Sequence, residues 1–206
     1  MITANMTLPI PIGMEDTSVR ILDAPTTQDW LLVRNLLLGT VGKCSNTETI
    51  AADTKRKIIA SEHSPLRTLQ ITWEWVNLPS WVSVHLVRHH VGCTPYVQTQ
   101  RNDRQNNYDR TKAPQDTPVL HRETANAQSI LDISKRRLCK MSAEQTRYAW
   151  MLFLVALAKY EPELTHACVP QCVYRNGLCP ELFKNCGEGV DTKWLNQYRM
   201  LFVKTK

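Results

Sequence analysis

The chain has 206 residues, of which 43% are hydrophobic and 21% are charged. This length suits a single domain, and this composition excludes an intrinsically disordered chain. The net charge of +6 favours anionic partners such as nucleotides, folates or nucleic acid, but no basic run is long enough to form a nucleic-acid-binding tail.

Two features bear on the location of the protein. Residues 1–14 lack the charged start and apolar core of a signal peptide. The longest apolar run, residues 148–158, is too short to span a bilayer. We therefore predict a cytoplasmic protein that does not associate with membranes.

Hydrophobic periodicity predicts strands and helices in the first half of the chain. In order, these elements are a strand at residues 18–22, a helix at 30–38, a helix at 49–60, a strand at 68–76 and a short helix at 81–87. Thr27 or Asp29 would cap the first helix. Pro65 would end the second helix, because the residue before a proline avoids the α conformation. The second strand alternates strictly, with Trp73 and Trp75 on its apolar face.

The second half is predicted to be loop and then mostly helix. Residues 91–110 are predicted to form a polar loop that contains a short strand, and the end of this loop, residues 106–110, is predicted to face solvent. Residues 112–118 would connect the loop to the helices. The predicted helices lie at residues 124–141, 142–159, 163–168 and 191–203. Ser142 and Gln145 fit a capping box for the second of these helices. That helix is apolar nearly all round, which places it in a core or a subunit interface.

A cationic motif ends the short helix at residues 81–87. Arg88, His89 and His90 are consecutive, and Thr99, Gln100 and Arg101 follow in the polar loop. Arginine forks match phosphate oxygens, and imidazole donates or accepts hydrogen bonds near neutral pH. The motif therefore suits phosphates and the polar edge of a base or flavin, and the alternative is a helix end that faces solvent.

The seven cysteines raise the question of a metal site. With no export signal, free thiols or a metal site are favoured over disulfides. Cys168, Cys172, Cys179 and Cys186 are spaced more widely than the usual zinc-binding pairs, so we predict no metal. Cys93 lies beside the cationic motif, but nothing in the sequence indicates the depressed thiol pKa of a nucleophile.

The cationic motif resembles the signature of the flavin-dependent thymidylate synthases, the ThyX family. That signature is Arg-His-Arg followed at a fixed distance by Ser-x-Arg. Arg88 and His89 match it, and His90 replaces the second arginine. With one inserted residue, Thr99 to Arg101 take the place of Ser-Gln-Arg, and without the insertion Gln98 takes the place of the serine.

The resemblance covers about half of the chain, residues 53–110 well and residues 160–174 moderately. His63, an alternating strand and an apolar helix precede the motif in the order of the family. Residues 163–174 are similar to the family's Glu-x-Ala-Arg-x-x-Leu-Pro-x-x-x-Tyr, with His166 in place of the arginine that grips the nucleotide. The family's C-terminal Asn-Ala-Arg stretch is not recognisable, and a cysteine-rich segment begins at about residue 168.

The resemblance implies a single ThyX-like domain over residues 1–206, of α/β (α+β) class, with a small sheet packed against helices that include long ones in the C-terminal half. It implies a homotetramer that binds FAD across subunit interfaces, uses NADPH and methylenetetrahydrofolate, and methylates dUMP without a side-chain nucleophile. The implied cofactor-binding residues are His63, Arg88, His89 and His90. The implied substrate-binding residues are His85, Thr99, Gln100, Arg101 and His166. Compact divergent forms of this family would suit a phage.

The replaced arginines leave alternatives open. Arg101, Arg104 and Arg175 could take over the phosphate contacts, or the enzyme could act on another pyrimidine nucleotide such as dCMP. The missing C-terminal contacts fit a nucleotide- or nucleic-acid-binding protein that has lost the cofactor. A small domain stabilised by a metal at the four C-terminal cysteines is a further alternative.

Overall fold

The structure is a computed structural model that describes residues 2–104, 109–182 and 185–203. Its strands are β1 (Ser18–Asp23), β2 (Gln70–Pro79), β3 (Cys93–Val97) and β4 (Pro118–Asn126). Its α-helices are α1 (Thr27–Gly39), α2 (Ala52–Ser61), α3 (Ser80–Leu86), α4 (Ala127–Arg137), α5 (Glu144–Leu157), α6 (Pro162–Ala167), α7 (Gln171–Tyr174) and α8 (Thr192–Arg199). Short 3-10 helices occupy Ser64–Thr68 and Met200–Phe202. None of the helices in the described ranges has the length and apolar character needed to cross a membrane.

The four described strands form one antiparallel sheet in the order β1-β2-β4-β3. β4 lies inside the sheet, pairing with β2 on one side and with β3 on the other. Helices pack on this sheet, and the long helices α4 and α5 lie in the C-terminal half. The predicted α+β class is therefore confirmed.

The apolar face of β2 and the buried side of α5 form the centre of the core. Trp73 stacks on Phe153 of α5 with ring centroids 4.0 Å apart. The Trp75 indole donates a hydrogen bond of 2.9 Å to the carbonyl of Ala149, also in α5. Burying such large side chains against each other supplies much of the hydrophobic stabilisation, and the alternation in the sequence predicts this face correctly.

The opposite face of β2 carries a buried carboxylate that ties three strands together. Glu74 accepts a hydrogen bond from Arg20 of β1 and one of 2.8 Å from Nε of Arg122 in β4. The hydrogen bond from Arg122, followed by the bond and charge of Arg20, holds the pKa of Glu74 below its usual value, despite the opposing effect of desolvation. The charge of the buried Glu74 carboxylate is therefore balanced by the two guanidinium groups that bind it.

β4 contradicts the prediction for this part of the chain. The sequence predicts a connector to residue 118 and a helix from residue 124, whereas β4 continues to Asn126 and α4 begins only at Ala127. The inward-facing side chains of β4 include His121 and Glu123, so the apolar alternation that marks a half-buried strand is absent. The Asn126 side chain caps α4 by accepting a hydrogen bond from the N–H of Ser129.

Smaller differences concern the ends of helices. Thr26 is the N-cap of α1, and Asp29 completes a capping box with it. The capping box predicted at Ser142 does not form, because Ala143 is the N-cap of α5 and makes no side-chain cap. The last predicted helix is shorter, since α8 ends at Arg199. Of the loop predicted to face solvent, residues 106–108 lie outside the described residues.

Candidate functional site

A groove of about 430 Å³ opens where α3 ends, and we call it the cationic groove. Its lining residues are Arg67, Arg88, His89, His90, Val91, Gly92, Asn126, Gln128, Ser129, Asp132 and Ile133. Arg88 and His90 are exposed and His89 is half-buried. The structure therefore brings three of the predicted cofactor-binding residues together in one groove. Arg67 adds a further cation that the sequence motif does not include.

The loop after His90 is fixed against the start of α4. The Ser129 hydroxyl donates to the carbonyl of Val91 at 2.8 Å, and the N–H of Asn126 donates to the carbonyl of Gly92 at 3.0 Å. Gly92 has a φ of +66°, and a Cβ at this position would lie 2.3 Å from side-chain atoms of Asn126 and Ser129. The positive φ and this close approach both favour glycine at this position in the wall of the groove.

Arg137 of α4 lies behind the groove, and no motif in the sequence pointed to it. Its Nε–H donates to Nε2 of His89 at 2.8 Å, and it also donates to the carbonyl of His85. Burial, followed by the charge of Arg137, lowers the pKa of His89 to about 4. His89 is therefore neutral at pH 7, accepts at Nε2 and keeps its proton at Nδ1. Burial, followed by the charge of Arg88, lowers the pKa of Arg137.

The charges of the cationic groove favour an anion. Arg67 and Arg88 are exposed, and the acidic residue of the lining, Asp132, is paired with Lys135 at 2.9 Å. Guanidinium groups bind phosphate oxygens through paired hydrogen bonds. The groove can therefore hold a phosphate or another anionic group, with a neutral imidazole beside it.

A second groove, of about 240 Å³, lies along α3, and we call it the Thr99 groove. The predicted substrate-binding residues Thr99, Gln100 and Arg101 all line it, and it shares no lining residue with the cationic groove. Both guanidinium contacts of Arg101 go to Asp103, at 2.9 and 2.7 Å. Nε2 of Gln100 is buried and has no hydrogen-bond partner among the described residues, while Oε1 of the same amide accepts a hydrogen bond of 3.5 Å from the Ser80 hydroxyl.

The other predicted site residues line neither groove. His63 is exposed just before the first 3-10 helix. Nδ1 of His85 lies 2.9 Å from the hydroxyl of Thr146 in α5, so His85 belongs to a contact between helices. His166 is half-buried on α6, where burial lowers its pKa and Glu163 opposes that effect. For these three histidines, a role in ligand binding remains a prediction.

A buried chain of polar side chains connects α3, β4 and β3. The Ser83 hydroxyl lies 2.9 Å from Nδ1 of His121. Nε2 of His121 lies 3.7 Å from Oε2 of Glu123, which is too far for a hydrogen bond, and neither of these two buried atoms has another hydrogen-bond partner among the described residues. The thiol of Cys93 donates to the other oxygen of Glu123. Burial lowers the pKa of His121 to about 4 and raises that of Glu123 to about 7. The sequence did not predict these contacts because they depend on β4, which it did not predict either.

The cysteines supply neither a nucleophile at the motif nor a preformed metal site. Burial and the adjacent Glu123 carboxyl raise the pKa of Cys93, so its thiol stays protonated at neutral pH. Cys168 lies in the main core, apart from the solvent-facing cysteines of the C-terminal segment. Within the described ranges, no three His, Cys, Asp or Glu side chains are grouped so that they could hold a metal ion.

Comparisons with known proteins address the fold. No protein-family model matches the sequence, and no curated protein matches it significantly. Thymidylate synthase X (ThyX) from Helicobacter pylori, solved with FAD and dUMP, matches with a TM-score of 0.59 at 11% identity, over 74% of this chain and 99% of that chain. The UMP/dUMP methylase PolB from Streptomyces cacaoi, bound to 5-Br dUMP, matches with a TM-score of 0.58 at 15% identity, over 74% of this chain and 94% of that chain. The chain therefore has the fold of the flavin-dependent thymidylate synthases, as its cationic motif predicts.

Proposed function

We propose that this chain is an FAD-dependent enzyme that methylates the pyrimidine nucleotide dUMP, with methylenetetrahydrofolate as the one-carbon donor and NADPH as the reductant. The observation that carries the proposal is the cationic groove at the end of α3, in a fold shared with structures that contain FAD and dUMP. A fold alone does not determine an activity, so the proposal depends on the chemistry of the two grooves.

The residues of the cationic groove fit an anionic cofactor. Arg67 and Arg88 offer exposed guanidinium groups, and Arg137 adds positive charge from behind. His89 is neutral and would orient a polar ring edge through its Nδ1–H, while His90 donates or accepts at the rim. When bound, FAD would supply the reducing equivalents that convert the transferred one-carbon unit to a methyl group. The chain itself would bind and orient the cofactor.

The Thr99 groove would bind the nucleotide. The exposed ion pair between Arg101 and Asp103 is worth only about 0–1 kcal/mol, so a nucleotide phosphate could displace Asp103 at low cost. The free Nε2–H₂ of Gln100 would donate to a carbonyl oxygen of the pyrimidine. Thr99 would position the same nucleotide through its hydroxyl.

The two grooves share no lining residue on one chain, although Val87 of the Thr99 groove directly precedes Arg88 of the cationic groove. The reaction requires flavin and nucleotide to be in contact. We propose that a neighbouring copy brings its Thr99 groove against the cationic groove, in the homotetramer that the family resemblance implies. His63 and His166 line neither groove and would act at such a contact.

Another pyrimidine nucleotide is the second candidate substrate. His90 and His166 replace arginines of the family motif, which changes the cations available to the phosphate and the base. The similarity in fold to a UMP/dUMP methylase is consistent with a substrate other than dUMP.

A methyl-transfer assay tests the proposal. The purified chain, incubated with FAD, NADPH and labelled methylenetetrahydrofolate, is offered dUMP, UMP or dCMP in separate reactions. We expect label in the product of dUMP, and loss of transfer in Gln100→Ala but not in Gln197→Ala, a change on α8 outside both grooves. Label only in the product of UMP or dCMP would establish the second candidate. No transfer to any nucleotide by protein that binds flavin would contradict both.

A further inference from the structure

A third groove, of about 370 Å³, lies between α7 and the segment that leads to α8, and we call it the thiol groove. Four cysteines line it: Cys139, Cys172, Cys179 and Cys186. It shares no lining residue with the cationic groove or the Thr99 groove. The chemistry of these thiols is therefore independent of the proposed methyl transfer.

A tight chain reversal brings the two middle cysteines to the same groove. The N–H of Gly177 donates to the carbonyl of Cys172 at 2.7 Å, and the N–H of Leu178 donates to the carbonyl of Arg175 at 3.2 Å. Arg175 is the C-cap of α7, and Asn176 and Gly177 follow it with positive φ values of 57° and 101°, so the helix ends in a left-handed turn. Cys179 comes two residues after Gly177 and lines the same groove as Cys172.

The two thiols differ in a way that gives each a role. Cys179 is exposed, so a small solute reaches it directly. Cys172 is half-buried, and burial, followed by the nearby thiols of Cys139 and Cys179, raises its pKa. Cys172 is therefore less accessible than Cys179, and Cys179 is one of its two electrostatic neighbours among the thiols. A more accessible sulfur near a less accessible one is the arrangement of a reacting and a resolving cysteine.

We propose that Cys179 and Cys172 form a reversible disulfide when the protein meets a hydroperoxide. The thiolate of Cys179 attacks the peroxide, so that Cys179 becomes a sulfenic acid and one water leaves after proton transfer. The sulfur of Cys172 then attacks the sulfenic sulfur, the S–S bond forms, and a second water leaves. Two thiols lose two electrons in total, and one hydrogen peroxide is reduced to two waters.

A disulfide fits this groove better than a metal does. A metal needs three or four ligands that converge on one point, and no such group exists within the described ranges. A disulfide needs only two sulfurs that can meet, and Cys179 lies outside the described helices and strands, at residues 178–181. The bond would fasten the beginning of that segment to α7.

Peptide mapping of the full chain tests the proposal. The reduced protein is treated with hydrogen peroxide, its remaining thiols are alkylated, and it is digested with trypsin without reductant. Arg175 lies between the two cysteines, so a Cys172–Cys179 bond joins two separate tryptic peptides. We expect to detect this linked pair and to release it with dithiothreitol. The pair should be absent in Cys179→Ser, which changes an exposed residue and leaves the core intact. Cys44→Ser, which removes an exposed thiol outside the groove, should keep the linked pair.

Three results would overturn the proposal. Cys179 could be oxidised to sulfinic acid in the wild-type chain with no linked peptide. The linked peptide could instead join Cys139 or Cys186. Zinc chloride alone, added before alkylation, could protect the thiols of the groove, which would establish a metal site in place of a disulfide.

Discussion

Glu123→Gln tests the buried polar chain, because the substitution removes an ionisable group and keeps its shape. Burial raises the pKa of Glu123 to about 7, against 4.5 for an ordinary glutamate. Between these values the unfolded carboxyl is ionised and the folded one is protonated, so the unfolded state gains stability as the pH rises. That pKa difference corresponds to about 3 kcal/mol of folding free energy, lost as the pH rises through this window.

The neighbouring His121 acts in the opposite direction. Its pKa falls to about 4 from 6.5, so its contribution to stability is present above pH 6.5 and is lost as the pH falls towards 4. His121 is present in both the wild type and the variant. The difference between their unfolding free energies at each pH therefore reports Glu123 together with its coupling to His121, whose Nε2 lies 3.7 Å from the Glu123 carboxyl.

The assay is urea unfolding followed by tryptophan fluorescence, from about pH 5 to about pH 8. Trp73 and Trp75 lie in the core and report its loss. As the pH rises, we expect the unfolding free energy of Glu123→Gln to increase relative to that of the wild type, by up to about 3 kcal/mol. Glu144→Gln, at the exposed start of α5, is the control for losing a carboxylate. A difference between Glu123→Gln and wild type that stays constant with pH would refute the reasoning.

Three further changes test the surroundings of the cationic groove and the sheet. Gly92→Ala should cost more than the roughly 1–2 kcal/mol of a left-handed alanine, because its Cβ would lie 2.3 Å from two side chains, and urea unfolding measures the loss. Arg137→Ala should raise the pKa of His89 from about 4 towards 6.5, as followed by NMR titration. Glu74→Gln should destabilise the sheet by roughly 2–3 kcal/mol at neutral pH. The loss should be smaller at low pH, because Glu74 of the wild type becomes protonated there, below its lowered pKa, and no longer carries a charge.

Each of these changes has a control or a contradicting result. Gly189 has a similar φ of +69°, but a Cβ there would have no atom within 4 Å, so Gly189→Ala is the control for Gly92→Ala. An equal loss of unfolding free energy in the two variants would mean that the close approach at Gly92 is unimportant. An unchanged pKa of His89 in Arg137→Ala would show that burial alone sets it. A constant effect of Glu74→Gln from neutral to acidic pH would contradict the ion pairs of the sheet.

The sequence predicts the elements whose apolar residues repeat regularly. β2 alternates strictly and α3 follows it directly, so both are predicted within a few residues of their observed ends. β4 was missed because two of its inward positions are His121 and Glu123, which break the apolar pattern. Asn126 was the available signal, since asparagine is a favoured N-cap residue, and a helix start at Asn126 would have ended the strand there.

Site residues that are consecutive in the sequence could be predicted, whereas contacts made by the packing of distant helices could not. Arg88 to His90 share one groove because they are neighbours in the chain. Arg137 reaches His89 only because α4 packs beside the end of α3. Nothing in the sequence pattern reveals that contact, because the two residues are far apart in the chain and no local period links them.

Binding of FAD to the cationic groove tests the central claim most directly. The purified chain is incubated with FAD, freed of unbound flavin by gel filtration, and examined for the visible absorption of flavin. We predict that the wild type retains flavin, that Arg88→Ala loses it while unfolding at the same urea concentration, and that Arg34→Ala, outside both grooves, retains it. A colourless wild type, or an Arg88→Ala variant with unchanged flavin content, would contradict the account.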